Sequence, residues 1–303
     1  MGEREHRAAA PRDVHLWCAR PGQLVQRSEL GRWPEYQATP DLFTYIKTRG
    51  SFRSGGFNGS APPVDASAEA GGNIFESEHT QDIEAGLKSR GDAFGRPASV
   101  NLAAYYQWIQ DVQRVEFPDP DGPGGLASIA VTANVPSAEV YGLELDATIL
   151  AADWLQLGVT GAYTHSSFSD GHVELFGTSY EFGPVANTPE FAGTFFALVT
   201  FPTNGNTGDV SLRGEVYTQS SFYFSNAADA VAPDTELPSY SLVNGRLQWA
   251  GIMGSHLTAA LFGRNLLDEE HFVGGMALAS ALGHNAAAVG EPRTYGLELS
   301  YEF

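Results

Sequence analysis

The sequence predicts an all-β protein, an antiparallel transmembrane β-barrel portion of about ten meandering strands. Three observations carry that prediction. From Leu42 onward, segments of roughly 9 to 14 residues alternate apolar and polar side chains with period two, the pattern of strands whose two faces meet different solvents. Short and long connections between those segments take turns, as they do where periplasmic turns face extracellular loops. Charged residues make up only 17% of the chain. A soluble protein carries about a quarter, so something other than water is expected to cover part of the surface.

Taken in order, the chain opens with 1–34, a charged stretch without the apolar core that a secretion signal needs, so an irregular segment is expected there and a barrel domain over 35–303. A strand leads from Leu42, and another ends near Lys88. After a short link at 91–97 comes a strand, and then a Pro- and Gly-rich link at 117–125. Tyr141, Leu143, Leu145, Ala147 and Ile149 then oppose Gly142, Glu144, Asp146 and Thr148. Carboxylates cannot face lipid cheaply, so Glu144 and Asp146 are placed on the wet face. A tight turn at Ala151, Ala152 and Asp153 precedes Leu155, Leu157, Val159 and Tyr163, which oppose Gln156, Gly158, Thr160 and Thr164.

A long loop over 169–188 returns through Phe191, Phe195, Val199 and Phe201 to a short turn at 202–208. The cycle repeats: 210–218 up, 241–249 down, a turn at 251–255, 257–266 up, and a loop over 267–291. The last strand is the clearest, with Tyr295, Leu297, Leu299, Tyr301 and Phe303 alternating with Gly296, Glu298, Ser300 and Glu302. Trp154, Phe201, Trp249, Tyr301 and Phe303 fall beside the same short-turn edge, where an interfacial aromatic girdle belongs. By the same alternation Arg213, Glu215, Arg246, Arg264 and Glu298 join Glu144 and Asp146 as lumen-facing residues.

Charge and composition exclude several functions. A net charge of −19 and a pI near 4.6 leave no phosphate-neutralising face, so no nucleic-acid partner is expected, and cationic or metal-complexed ligands fit the sign better. Cys18 is the single cysteine, which excludes an internal disulfide and a multi-thiolate metal site. No apolar run of about 18 residues is present, so helical membrane spans are excluded. Asp119, Asp121 and Gly122 supply only half of a calcium loop and read as a turn. Asp268, Glu269, Glu270 and His271 could gather hard-metal ligands, but an acidic loop leaving a strand accounts for them. His165 and His172 flank a polar loop with no nucleophile turn near them. No enzyme, cofactor or metal is expected.

Several passages fall in the order seen in one family. Ala38-Thr39-Pro40-Asp41-Leu42-Phe43-Thr44-Tyr45 leads into Ser51-Phe52-Arg53-Ser54-Gly55-Gly56-Phe57-Asn58. Next come Ile83-Glu84-Ala85-Gly86-Leu87-Lys88, Asn101-Leu102-Ala103-Ala104-Tyr105-Tyr106 and Tyr141-Gly142-Leu143-Glu144-Leu145. Asn187-Thr188-Pro189-Glu190, Pro238-Ser239-Tyr240-Ser241-Leu242-Val243-Asn244 and Phe262-Gly263-Arg264-Asn265-Leu266-Leu267-Asp268 complete the set. From about Tyr36 to its end the sequence thereby resembles the barrel domain of TonB-dependent outer-membrane receptors, departing from the family pattern at Arg49-Gly50-Ser51.

That resemblance implies the carboxy-terminal part of a barrel of about 22 strands closed around a plug, with the plug and the amino-terminal half of the barrel absent from this sequence. It implies energised uptake of a large scarce solute, above all a ferric siderophore, bound by extracellular loops around 169–188 and 267–291. The partners it implies are the inner-membrane TonB complex, the lipid bilayer of the outer membrane and the outer-membrane assembly machinery. That machinery would read Tyr295, Leu297, Leu299, Tyr301 and Phe303 as its signal. Two other readings stand beside it: a soluble carbohydrate-binding β-sandwich whose apolar faces pair, and a truncated, non-functional remnant.

Overall fold

The computed structural model describes residues 24–27, 33–59, 74–116, 131–135, 137–169, 172–175, 178–204, 206–225 and 234–302. Twelve strands form one sheet in strictly sequential order. They are β1 (Leu24–Arg27), β2 (Trp33–Thr39), β3 (Leu42–Arg53), β4 (Glu78–Ala93), β5 (Arg96–Gln110) and β6 (Ala138–Ala152). There follow β7 (Leu155–Phe168), β8 (Phe191–Phe201), β9 (Asp209–Gln219), β10 (Tyr240–Ala250), β11 (Leu257–Arg264) and β12 (Thr294–Tyr301). Every neighbouring pair is antiparallel. The ten strands expected from Leu42 onward are β3 to β12; β2 adds one before them, and β1 lies within the stretch expected to be irregular.

Turn chemistry sets the polarity of the sheet. β4 and β5 are joined by Phe94 and Gly95, both with positive φ (57° and 75°), the backbone that a two-residue hairpin needs to match the strand twist. The other short links are Pro40 and Asp41, Asp153 and Trp154, 202–208 and 251–256, and all five lie at one end of the sheet. The opposite end carries five long connections, and each holds a small hairpin of its own: Gly56–Phe57 with Ile74–Phe75, Val112–Glu116 with Val131–Val135, His172–Leu175 with Thr178–Glu181, Phe222–Tyr223 with Glu236–Leu237, and Phe272–Met276 with Ala286–Val289. β4, β5 and β6 run to 16, 15 and 15 residues. A tilted strand crosses a bilayer in about 9–11.

Among the described residues the buried apolar side chains, apart from Ala260 on β11, sit at the loop end rather than on the sheet faces. Val112, Ala133, Val135, Ala138 and Phe182 form one cluster with Ile109 and Phe168. Phe222, Phe224 and Leu237 form a second with Phe272 and Ala277. Over the strands, by contrast, register aligns one uncovered apolar row across six neighbours: Leu155, Val199, Leu212, Leu247, Leu261 and Leu297. Leu212 is 44% exposed, Leu247 43% and Leu297 63%. A sandwich would bury such a face against a second sheet, but the five remaining sheets are two-stranded hairpins, so the apolar faces are not paired in that way. No helix among the described residues is long and apolar enough to cross a membrane; the one α-helix, Ala279–Leu282, has four residues.

Candidate functional site

The polar face is the place where side chains of opposite charge meet. Because side chains alternate along a strand, Tyr45, Lys47 and Arg49 of β3 share it with Asp82 and Glu84 of β4, their registered neighbours across the ladder. Lys47 Nζ lies 2.5 Å from Glu84 Oε1 and Arg49 Nη2 lies 2.7 Å from Asp82 Oδ2. The Tyr45 hydroxyl donates to Glu84 at 2.7 Å. Arg49 also reaches Glu84 at 3.4 Å, which links the group into one network. Sequence reasoning did not place these five residues on the wet face, although the alternation of Lys47 and Arg49 with Ile46 and Thr48 carried the signal.

The residues named from sequence lie on this same face. Asn101 donates to Asp146 at 3.2 Å, and Glu144 stands two residues along β6 on the wall of a hollow of about 580 Å³ that Tyr45, Lys88, Thr160 and Tyr217 also line. Arg213 lies 3.1 Å from Glu215 and stacks its guanidinium 3.9 Å from the centroid of the Phe196 ring. Asn244 donates to Glu215 at 3.1 Å. Arg246 reaches across β11 to Glu298 of β12 at 3.0 Å, passing over the small Ala260. Arg264 sits at the loop end, 3.9 Å from Glu291. The face thus holds two networks, one on β3 and β4 and one on β9 to β12, with the carboxylates of Glu144 and Asp146 between them.

Packing explains why glycine recurs between these polar groups. A Cβ on Gly142 would stand 2.1 Å from the Tyr163 carbonyl oxygen and 2.7 Å from the Tyr105 hydroxyl, so β5 and β7 close over β6 there only because the side chain is missing. The Tyr105 hydroxyl then meets Thr164 at 2.8 Å.

The long connections are ordered by side chains that bind backbone. Gln113, 3% exposed, donates to the carbonyls of Ser54 (3.0 Å) and Glu76 (2.9 Å), tying the 111–137 connection to 54–77. Asn265, also 3% exposed, donates to the carbonyls of Glu269 (2.9 Å) and Glu291 (3.2 Å) and accepts from the Glu269 amide at 2.8 Å. It therefore staples both ends of the loop over 267–291. In that loop Asp268 pairs with Arg293 at 3.2 Å, and His271 is buried against the Tyr240 ring at 4.6 Å. The acidic run does not converge: no group of three metal-ligating side chains occurs among the described residues. His165 meets Glu190 at 3.1 Å. Cys18, Asp119, Asp121, Gly122 and Phe303, and the side chain of His172, lie outside the described residues, as does part of the loop over 169–188.

The sequence model of the family described as TonB dependent receptor-like, beta-barrel matches residues 35–266. The chain belongs to the TonB-dependent receptor family. That family consists of receptors and transporters and not of enzymes. Solved TonB-dependent receptors share the fold. The ferric yersiniabactin uptake receptor FyuA from Yersinia pestis superposes with a TM-score of 0.66 at 17% identity, over 90% of this chain and 37% of its own. The siderophore receptor PiuA from Acinetobacter baumannii gives 0.62 at 16% identity, over 89% and 35%. The copper transporter OprC gives 0.66 at 14% identity, over 90% and 39%. The chain thus spans a little over a third of the length of each of these three proteins. A search of curated proteins returned no match.

Proposed function

We propose that the chain forms part of the wall of an outer-membrane receptor that takes up a ferric siderophore, with the apolar rows facing lipid and the charged face lining the lumen. The observation that carries this reading is the two-faced sheet itself. One face carries five leucines and Val199 at matching height on six strands with no layer over them, and the other joins charges into ion pairs, across the ladder at Lys47–Glu84, Arg49–Asp82 and Arg246–Glu298 and along β9 at Arg213–Glu215. Hydrocarbon tolerates the first and a wet interior the second. The stapled connections at one end would then form the extracellular surface on which ligand docks, around 169–188 and 267–291. FyuA and PiuA, which share the fold, carry siderophore-receptor names and lend this cargo their support. In the whole receptor a barrel this wide passes a large solute only when a plug moves, and the inner-membrane TonB complex would supply the energy. Tyr295, Leu297, Leu299, Tyr301 and Phe303, on the last strand and its end, would serve the assembly machinery.

Charge narrows the cargo. Arg114 and Arg293 are the only lysine or arginine residues in the five long connections, whose other full charges are acidic. Such a rim attracts cationic complexes and repels anionic ones over about a Debye length, ~8–10 Å at physiological salt. The test titrates the detergent-solubilised chain with a cationic ferric trihydroxamate and an anionic ferric tris-catecholate, reading tryptophan quenching at low and high salt. Saturable quenching by the trihydroxamate that weakens with salt is expected. Preference for the tris-catecholate, or no saturable quenching by either, overturns the reading.

A further inference from the structure

At the long-connection end of β3, β4 and β5, the apolar face changes character row by row. Ile46, Ala85, Ala104 and Leu143 stand level in the ladder, and Thr48, Ile83, Tyr106 and Tyr141 form the next row. Above them come Gly50, Gln81 and Trp108, and then Phe52, His79 and Gln110. These last six residues, with Ser51 and Thr80, line a groove of about 650 Å³, a volume in the range of small-molecule sites. The groove exists because Gly50 has no side chain: a Cβ there would meet only the Thr80 carbonyl oxygen, at an ordinary 3.8 Å. Phe52, 70% exposed, forms one wall and stacks on His79 at 6.3 Å; Trp108, 43% exposed, forms another and packs on Tyr106 at 4.5 Å.

The amides of Gln81 and Gln110, the His79 imidazole and the Trp108 indole N–H make no side-chain hydrogen bond with any described residue. Hydrocarbon could not satisfy them, and each unmet group would cost on the order of 1–3 kcal/mol. Trp108 stands twelve residues along β5 from Arg96. At about 3.3 Å per residue and a tilt near 40°, that is about 30 Å above the short-turn edge, just beyond an apolar band ~25 Å tall. The groove therefore opens at the level of the outer-leaflet headgroups.

Its chemistry selects among headgroups. No lysine or arginine lines it, so nothing matches a phosphate. Two aromatic rings flanking two amides and an imidazole offer apolar faces to the C–H side of a sugar ring and donors and acceptors to its hydroxyls. Resting on the outer-membrane reading above, we infer that this groove binds the saccharide of an outer-leaflet glycolipid against the outside of the wall.

The experiment uses the whole chain, first inserted into phospholipid vesicles to establish its membrane orientation by protease protection, and then titrated in detergent micelles. The probes are a rough-type lipopolysaccharide with a short core saccharide and, separately, phosphatidylglycerol. Gly50→Phe fills the groove without removing a donor, Gln81→Leu removes an amide, and Trp108→Phe keeps an aromatic wall but removes the indole N–H. Gly50→Phe and Gln81→Leu should each weaken lipopolysaccharide binding about tenfold, Trp108→Phe less, and none should change phosphatidylglycerol binding. Wild-type lipopolysaccharide affinity retained in Gly50→Phe, or equal competition by phosphatidylglycerol, overturns the groove while leaving the membrane reading intact. Failure to insert into vesicles overturns both.

Discussion

Leu247→Arg separates a lipid-facing wall from a water-facing one. Leu247 sits mid-sheet on β10, 43% exposed, flanked at the same level by Leu212 of β9 and Leu261 of β11. It is three residues from Ala250, the last residue of β10. That places it about 8 Å above the short-turn edge at ~3.3 Å per residue and a tilt near 40°, a third of the way up a band about 25 Å tall. An arginine on the lipid face of a barrel costs about 2–4 kcal/mol at the midplane and less toward the edges, so about 2–3 kcal/mol is expected here. That is about thirtyfold to about 150-fold in the folded-to-unfolded ratio, whereas in water an exposed substitution stays within about 0.5 kcal/mol. The assay is urea unfolding of the whole chain in lipid vesicles, followed by tryptophan fluorescence and heat-modifiable gel mobility. Ser300→Arg on the polar face, where Ser300 registers with Thr258, is the control and should cost less than about 0.5 kcal/mol. The reasoning is refuted if Leu247→Arg is as stable as wild type in vesicles, or if Ser300→Arg costs as much.

Three further outcomes follow from the same geometry. Gly142→Ala should destabilise the sheet by about 1–3 kcal/mol in the same unfolding assay, because the new methyl group meets a backbone oxygen that cannot swing away. Glu298→Ala removes the partner of Arg246 at a half-exposed position and should leave the unfolding midpoint close to that of wild type, so a clear loss would mean that the pair is sealed from water. Asn265→Ala strips three backbone hydrogen bonds from a buried staple and should speed amide exchange across 266–292 by about tenfold to a hundredfold, while the strands of β3 to β6 keep their protection.

Much of this architecture is written in short-range pattern. Alternation in β6, β7 and β12 marks which residues share a face, because successive side chains of a strand must point apart. Short turns were legible at 91–97 and at Ala151, Ala152 and Asp153, where Phe94-Gly95 and Asp153-Trp154 join the strands, and the loops expected over 169–188 and 267–291 fall within two of the five long connections. The polar placement of Glu144, Asp146, Arg213, Glu215, Arg246, Arg264 and Glu298 follows from the same parity. Strand count was less legible at the start of the chain, where β1 has four residues and β2 is bent by a bulge near Ala38, too little for a period to declare itself.

Tertiary structure alone decided the partners. That Arg49 meets Asp82, that Arg246 passes over Ala260 to Glu298, and that Gln113 binds carbonyls of another connection all depend on register between segments 33 to 59 residues apart. Parity states which face a residue takes, but not its height relative to its neighbour. The acidic run at Asp268 shows the same divide: in sequence four ligands stand together, while in space Asp268 turns to Arg293 and His271 buries against Tyr240. The outward groove is likewise invisible in any one strand, since Gly50, Gln81 and Trp108 become neighbours only when three strands are hydrogen-bonded in register. A local pattern is set by the geometry of one strand; a site is set by the alignment of several, and only the folded ladder supplies that alignment.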